Sequence, residues 1–185
     1  MEDKDILALY NARSEEALTA TAEKYGGLCR SIARNILPSG EDAEECVNDA
    51  WLGAWNSIPP QQPDDLSAYL ARLTRNTALD RFRREHAGKR GAGEVPAALE
   101  ELEECVPARG GVEEALDAQA LAAAVDRFLR MQPELQRKLF LQRYWYLCPV
   151  GEIARMWGMS RSRAASILHR TRNALKRYLK QEGFL

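Results

Sequence analysis

Apolar residues recur at spacings of three and four along most of the chain, the signature of helices with one buried stripe. Ile6, Leu7 and Tyr10 mark a short first helix. Ser14 is placed to cap a longer one, with Glu15 and Glu16 in the first turn, where carboxylates suit the helix dipole. Leu18, Thr21, Tyr25, Leu28, Cys29, Ile32, Ala33 and Ile36 form its stripe. Gly26-Gly27 interrupts that run at about 1 kcal/mol per glycine, so a bend is expected there, and Pro38-Ser39-Gly40 ends the helix. Ser39 to Asp42 fits the Ser-x-x-acid start of a third helix. Ala43, Cys46, Val47, Ala50, Trp51 and Ala54 share one of its faces, and Glu44, Glu45, Asn48, Asp49 and Leu52 the other. The proline run Ile58 to Pro63 cannot continue a helix. Asp64-Asp65 opens a fourth, with Leu66, Tyr69, Leu70, Leu73 and Thr77 as its buried stripe.

The pattern resumes near Glu113 with Leu116, Leu121, Ala124, Val125, Phe128 and Leu129, breaks at Pro133, and continues through Leu135, Leu139, Phe140 and Tyr144. Residues 152 to 172 then read as two helices joined by a tight turn. Ile153, Ala154 and Trp157 give the first its stripe. Gly158 suits the positive φ of a helix end, and Ser160 suits the N-cap of the next helix. In that helix Ala164, Ile167, Leu168 and Thr171 face inward, leaving Arg161, Ser162, Arg163, Ser166, His169, Arg170 and Arg172 outside. A basic second helix after a short turn is the helix-turn-helix layout, whose second helix enters the DNA major groove.

Between the two patterned regions the character changes. Ala87 to Gly93 carries glycines that break helix, and from Glu94 to Asp117 there are eight acids and one base, Arg109, interrupted by Pro96, Pro107 and Gly110-Gly111. This reads as a flexible acidic linker. The expected architecture is all-α: a helical bundle at 1–90, the linker at 91–112 and a helix-turn-helix domain at 113–185. Leu99, Leu102 and Val106 offer the linker at most a transient helical turn.

The net charge of −1 conceals this asymmetry. From Val150 to Lys180 eight Lys or Arg face one acid, Glu152, and a one-sign helix pair needs a counter-surface such as phosphate. The far end of the fourth helix is also basic: Arg72, Arg75, Arg81, Arg83 and Arg84 surround Asn76 and Asp80. Arg and Asn are well shaped for phosphates and base edges. Tyr69, Phe82, Trp51 and Trp55 offer stacking surfaces, although most aromatics at helical spacing belong to the core. The acidic strap has the charge to shield the basic faces until a partner displaces it. The acidic face of the third helix is open to two uses, plain solvation or docking on a basic partner. Four scattered cysteines, Cys29, Cys46, Cys105 and Cys148, suggest reduced thiols rather than a disulfide framework or a zinc site. No His/Cys/acid cluster or Gly-rich phosphate loop points to catalysis, a metal or a cofactor, and His86 and His169 stand alone. The hydrophilic start, Met1 to Asp5, and the lack of a long apolar run predict neither a signal peptide nor membrane insertion.

Two segments carry a family likeness. Asp-Ala-Glu-Glu-Cys-Val-Asn-Asp-Ala-Trp-Leu-Gly-Ala-Trp (42–55) resembles the Asp-Ala-Glu-Asp-x-x-Gln-Glu/Asp-x-Phe-x-x-x-Trp segment of bacterial sigma factors. Arg-Asn-Thr-Ala-Leu-Asp-Arg-Phe-Arg-Arg (75–84) resembles their Arg-Asn-x-Ala-x-Asp-x-x-Arg-Arg segment. The order of elements, with Met131 to Arg137 similar to a Leu-Pro-x-x-Gln-Arg segment, is like that of the extracytoplasmic-function group of the sigma-70 family. The resemblance implies a non-enzymatic, cytoplasmic specificity subunit that binds core RNA polymerase and promoter DNA and assists melting. An anti-sigma factor is a further expected partner by family analogy. It implies polymerase docking through Asp42, Glu45, Asn48, Asp49 and Leu52. It implies −10 element binding through Arg72, Arg75, Asn76, Asp80, Arg81 and Arg84, with the loop at 56–65 beside them. It implies −35 element binding through Ser160, Arg161, Ser162, Arg163, Ser166, His169 and Arg170. The chain departs from the family at Pro149, where a capping Ser is usual, and at Ala165 and Ile167, where Lys and Arg are usual, so the promoter sequence does not carry over. A stand-alone helix-turn-helix regulator is the alternative, and the face at 42–55 discriminates the two.

Overall fold

The computed structural model of the chain describes residues 1–85, 94–106 and 114–185. The helix breaks expected at Ala87–Gly93 and Pro107–Gly111, His86 and the side chain of Leu116 lie outside the described residues. No strand is present among the described residues, in accord with the all-α expectation. The chain divides into two units, Met1–Gly91 and Ala92–Leu185, each with its own core.

The first unit consists of α1 (Asp3–Asn11), α2 (Glu16–Ile36), α3 (Gly40–Ser57) and α4 (Leu66–Glu85). The last three pack mutually and α1 lies against α2. Ser39 caps α3, its Oγ accepting the Asp42 N–H at 3.3 Å, and Asp65 accepts from the Ala68 N–H at 2.9 Å to start α4. Ser14 does not cap α2 through its side chain. Its carbonyl accepts the Ala17 N–H instead. The bend expected at Gly26-Gly27 is absent. α2 runs through both glycines, and a Cβ at Gly26 would sit 2.9 Å from Arg30 Nη2, so the small residue makes room for that guanidinium. The buried face of α4 is Leu66, Tyr69, Leu70, Ala71, Thr74, Ala78 and Leu79, with Leu73 and Thr77 half-buried. The stripe is rotated from expectation because α4 contacts both α2 and α3, and Ala71, Thr74 and Ala78 permit that close double packing. The buried Thr74 hydroxyl donates to the Leu70 carbonyl at 2.9 Å.

The second unit begins with a correction. The stretch from Glu94 to Glu103, expected within a flexible linker, is a helix, α5, that packs on the rest of its unit. Val95 and Ala98 within it, and Cys105 in the turn just after it, are buried. The acid-rich composition argues for solvation in isolation. The i, i+3, i+7 spacing of Ala98, Glu101 and Cys105 instead gives α5 one face that meets a buried arginine. After it come α6 (Glu114–Met131), α7 (Glu134–Phe140) running into a π-helical turn (Leu141–Trp145), α8 (Val150–Met156) and α9 (Arg161–Gln181). Phe128, Leu139, Phe140, Leu147, Ile153, Leu168, Leu175 and Leu179 build the core. Gly158 adopts φ +59 between α8 and α9, and Ser160 Oγ accepts the Arg163 N–H at 3.2 Å, as the tight turn requires. Pro149 stands at the start of α8 without a side-chain cap.

Candidate nucleic-acid and partner interfaces

Three surfaces carry the predicted site residues. The first is the outer face of α3. Glu45, Asn48, Asp49 and Leu52 follow one another at i, i+3, i+4 and i+7 and are all exposed, and Leu52 is 57% exposed. A leucine this open within an acidic ridge is the kind of centre a partner can desolvate, with charges at its rim. Asp42 lies at the N-terminal end of the same helix and is half-buried.

The second surface is the distal part of α4. Arg72, Asn76, Asp80 and Arg84 are exposed, and the Arg72 guanidinium lies 5.4 Å from the Tyr69 ring centroid. Arg75 is half-buried, and burial followed by the nearby charge of Arg83 makes its protonated form less favourable than usual. Asp80 pairs with Arg83 at 3.4 Å, and its carbonyl accepts from Arg84 Nε at 3.3 Å, so it orders two arginines rather than opposing them from a distance. Arg81 is placed differently from its neighbours. Its guanidinium meets Glu45 at 2.7 Å and Glu85 at 3.0 Å, and it also pairs with Asp42. These hydrogen bonds raise its pKa further, and they tie α4 to the acidic end of α3. Arg81 therefore links the first two surfaces, and its guanidinium faces α3 instead of standing in the open beside its neighbours. The loop between α3 and α4 is anchored at both ends. Ile58 is fully buried, Ser57 Oγ and Tyr69 Oη are 2.6 Å apart, and Gln62 Nε2 donates to Asn11 Oδ1 at 2.8 Å.

The third surface is the outer face of α9. Arg161, Ser162, Arg163, Ser166, His169 and Arg170 are exposed and Ser160 caps their helix. Ser162, Ala165, Ser166, His169 and Arg170 line one shallow notch, opened by the small side chain of Ala165. The His169 ring is held by Asn173, with Nε2 and Nδ2 3.0 Å apart. Ile167, at a position where the family usually has Arg, is buried and packs inward.

Arg172 does not face out with this group. It is 12% exposed and belongs to a cluster absent from the sequence reading. Arg172 Nη1 donates to Glu101 Oε2 at 2.8 Å and to Tyr144 Oη at 2.6 Å, Tyr144 Oη donates to the same carboxylate at 2.7 Å, and Arg143 Nη2 donates to Glu101 Oε1 at 3.1 Å. The side chain of Arg143 is 1% exposed. Burial opposes ionisation of Glu101, but Tyr144 and the two arginines outweigh it and hold the carboxyl below its usual range. Burial and the Glu101 contact push Tyr144 upward. The legible signal was a single charged residue within the apolar run Leu139 to Leu147, since an arginine there must find an acid.

All four cysteines are buried free thiols. Among the described residues no cluster of three His, Cys, Asp or Glu is placed to hold a metal ion, and no helix is long and apolar enough to cross a membrane.

With these surfaces in view, comparison with known proteins gives two matches. The sigma-70 region 2 family matches residues 21–87, which includes α3, the loop after it and α4. Over 178 residues the chain is 27% identical to the ECF RNA polymerase sigma factor SigM of Mycobacterium tuberculosis, covering 96% of this chain and 84% of that protein.

Proposed function

We propose that the chain is a sigma factor of the extracytoplasmic-function group of the sigma-70 family, which binds core RNA polymerase, directs it to a two-part promoter and assists melting; the match to sigma-70 region 2 over residues 21–87 and the likeness to SigM support this reading. The observation that carries this reading is the ridge of Glu45, Asn48, Asp49 and Leu52, an exposed apolar centre with an acidic rim, next to an arginine-rich helix in the same small unit. Its role is to dock on a basic, partly apolar surface of the polymerase. Asp42 and Arg81 hold the base of that ridge to α4.

Arg72, Arg75, Asn76 and Arg84 face the −10 element, with Asp80 orienting Arg84. The arginines neutralise phosphates, and the anchored loop at 58–65 offers a fixed edge for an unstacked base. Capturing such a base costs a few kcal/mol of stacking, which these contacts offset. Ser160, Arg161, Ser162, Arg163, Ser166, His169 and Arg170 serve the −35 element in duplex DNA, with the turns nearest Ser160 closest to the base edges. An anti-sigma factor is a further partner under this reading, and a cytoplasmic setting follows from the polymerase. No step of this work is catalytic.

The test is co-elution with core polymerase and promoter-dependent transcript initiation. Asp49→Lys combined with Leu52→Ala disrupts the ridge without touching the partners of Arg81. The double variant is expected to lose on the order of tenfold or more in affinity for core while duplex DNA binding is retained. Retained core binding removes the docking role of α3. Failure of the native chain to bind core, with DNA binding intact, favours a stand-alone regulator.

A further inference from the structure

Pro59 leaves a gap in the hydrogen bonding at the end of α3. A continuing helix would satisfy the Trp55 carbonyl from the N–H of residue 59, and proline has none. The donor comes instead from the turn between α1 and α2. Arg13 Nη1 donates to the Trp55 carbonyl, and the same guanidinium lies 5.4 Å from the centroid of the Trp55 ring. Arg13 reaches this position from a backbone that suits glycine. Its N–H donates to the Tyr10 carbonyl at 3.0 Å and the Ser14 N–H to the Leu9 carbonyl at 3.0 Å, the pair of bonds that closes a helix with one residue in the left-handed region. Arg13 is that residue, at φ +54, where its Cβ is disfavoured. A side-chain-bearing residue held in such a conformation points to a role for the side chain.

Asn11, the last residue of α1, makes a second contact. Its Nδ2 donates to the Leu7 carbonyl at 2.9 Å, which fixes the amide so that Oδ1 accepts from Gln62 Nε2 at 2.8 Å. Gln62 stands in the middle of the loop after α3, and the Gln61 N–H beside it donates to the Ser57 carbonyl at 2.9 Å. The α1–α2 turn is itself anchored in the core. Tyr10 is fully buried, its Oη is 2.9 Å from Thr21 Oγ1, and its ring centroid is 6.3 Å from that of Trp55. The turn therefore holds the loop from one side. The Ser57 contact to Tyr69 holds it from the other, with the Arg72 guanidinium lying over the Tyr69 ring. Pro60, Gln61, Gln62 and Asp64 stay exposed between these anchors, so the loop is fixed at its base and open at its edge.

We propose that Asn11 and Arg13 are positioning residues for single-stranded DNA, holding the loop at 58–65 in the shape that receives an unstacked base of the −10 element. This rests on the promoter reading given above, and it adds two residues that precede the region 2 match at 21–87. Neither residue touches the DNA. Pro59, Pro60 and Pro63 carry no N–H, so the loop has few backbone donors with which to fix itself, and side chains from outside it supply the hold. A loop set before the strand arrives has less ordering left to do on binding, which leaves more of its contact energy to offset the lost stacking.

The test uses the full chain, free and on core polymerase, with a DNA duplex selected from a random library as one from which the native holoenzyme initiates. Opening is followed by permanganate reactivity of the unpaired thymines. Arg13→Gly removes the guanidinium and also relieves the left-handed backbone, so the thermal midpoint of the first unit and the affinity for core are expected to stay at their native values. Opening is expected to slow about tenfold. Asn11→Ala is expected to slow it about threefold, and Gln62→Ala added to it has no further effect, because the two amides act as one contact. Arg13→Lys restores most of the rate, since an ammonium still donates to the Trp55 carbonyl. In the free chain, hydrogen exchange at the Gln61 N–H is expected to speed about tenfold in Arg13→Gly while that of α2 and α4 is unchanged. Opening at the native rate in both Arg13→Gly and Asn11→Ala overturns the positioning role. Slowing that comes with an equal loss of thermal stability and core affinity assigns both residues to the fold alone and overturns it as well. Unchanged exchange at Gln61 overturns the hold on the loop. A native holoenzyme that co-elutes with core but opens no duplex overturns the promoter reading and this role with it, while exchange at Gln61 still judges the hold.

Discussion

Each unit ties one helix to its core through a carboxylate, a tyrosine and a basic side chain, and the two versions differ in depth. In the first unit Asp3 of α1 accepts from Tyr25 of α2 and pairs with Lys24 at 2.6 Å. In the second, Glu101 of α5 accepts from Tyr144 and pairs with Arg172 at 2.8 Å. Asp3 and Lys24 are 39% and 34% exposed, so water and salt screen them. The C-terminal version adds Arg143 at 1% exposure, and this makes it a different kind of contact. The shallow tie can be lost at little cost. The deep one makes the fold of its unit depend on an acid supplied by the connector.

The largest test of this contrast is Arg143→Ala. It removes the buried cation but leaves Glu101 beside Arg172, and breaking a buried pair costs about 3–5 kcal/mol. Thermal unfolding should show the C-terminal transition falling well below the N-terminal one. A shift no larger than that of Asp3→Ala would erase the distinction. Next comes Gly158→Ala, which forces a Cβ into φ +59 and should destabilise the second unit by about 1 kcal/mol, with the helix-turn-helix geometry affected before the contacts of Glu101. Asp3→Ala should produce a smaller shift still, confined to the first unit.

Titration sharpens the comparison at both ends of the pH scale. Burial first, and then the hydrogen bond to Asp3, push Tyr25 up to about 12 from 10.0. A raised folded value means that its stabilisation is complete below 10.0 and is lost as pH climbs towards about 12. Spectrophotometric titration should therefore find Tyr25 ionising late in the first unit, alongside Tyr10, which burial also pushes up, and Asp3→Ala should bring Tyr25 alone earlier. Glu101 runs the other way. Its folded pKa is depressed, so its contribution is present above the ordinary carboxylate range and disappears as pH falls through the lowered value. The thermal stability of the second unit should fall only below that range, and Glu101→Gln should flatten the profile.

The α3 ridge and the open face of α9 were legible because each is a one-helix property, in which spacing alone decides which residues share a side. Glycine and serine at 158 and 160 were legible for a similar reason, since a positive φ and an orphan N–H are local demands. The displaced stripe of α4 was not legible, because two neighbours bury it from different directions. The role of Arg81 was not either, since its partners Asp42 and Glu45 lie on another helix.

The sequence by itself determined the helical periods, the break into two units, the caps at Ser39 and Ser160 and the sign of each exposed face. Only the tertiary structure decided that an acidic stretch is a docked helix and that Arg172 turns inward. Local composition sets a segment's preference for water. Whether that preference prevails depends on the buried charge it meets, and Arg143 lies 42 residues away in the chain from the glutamate that answers it.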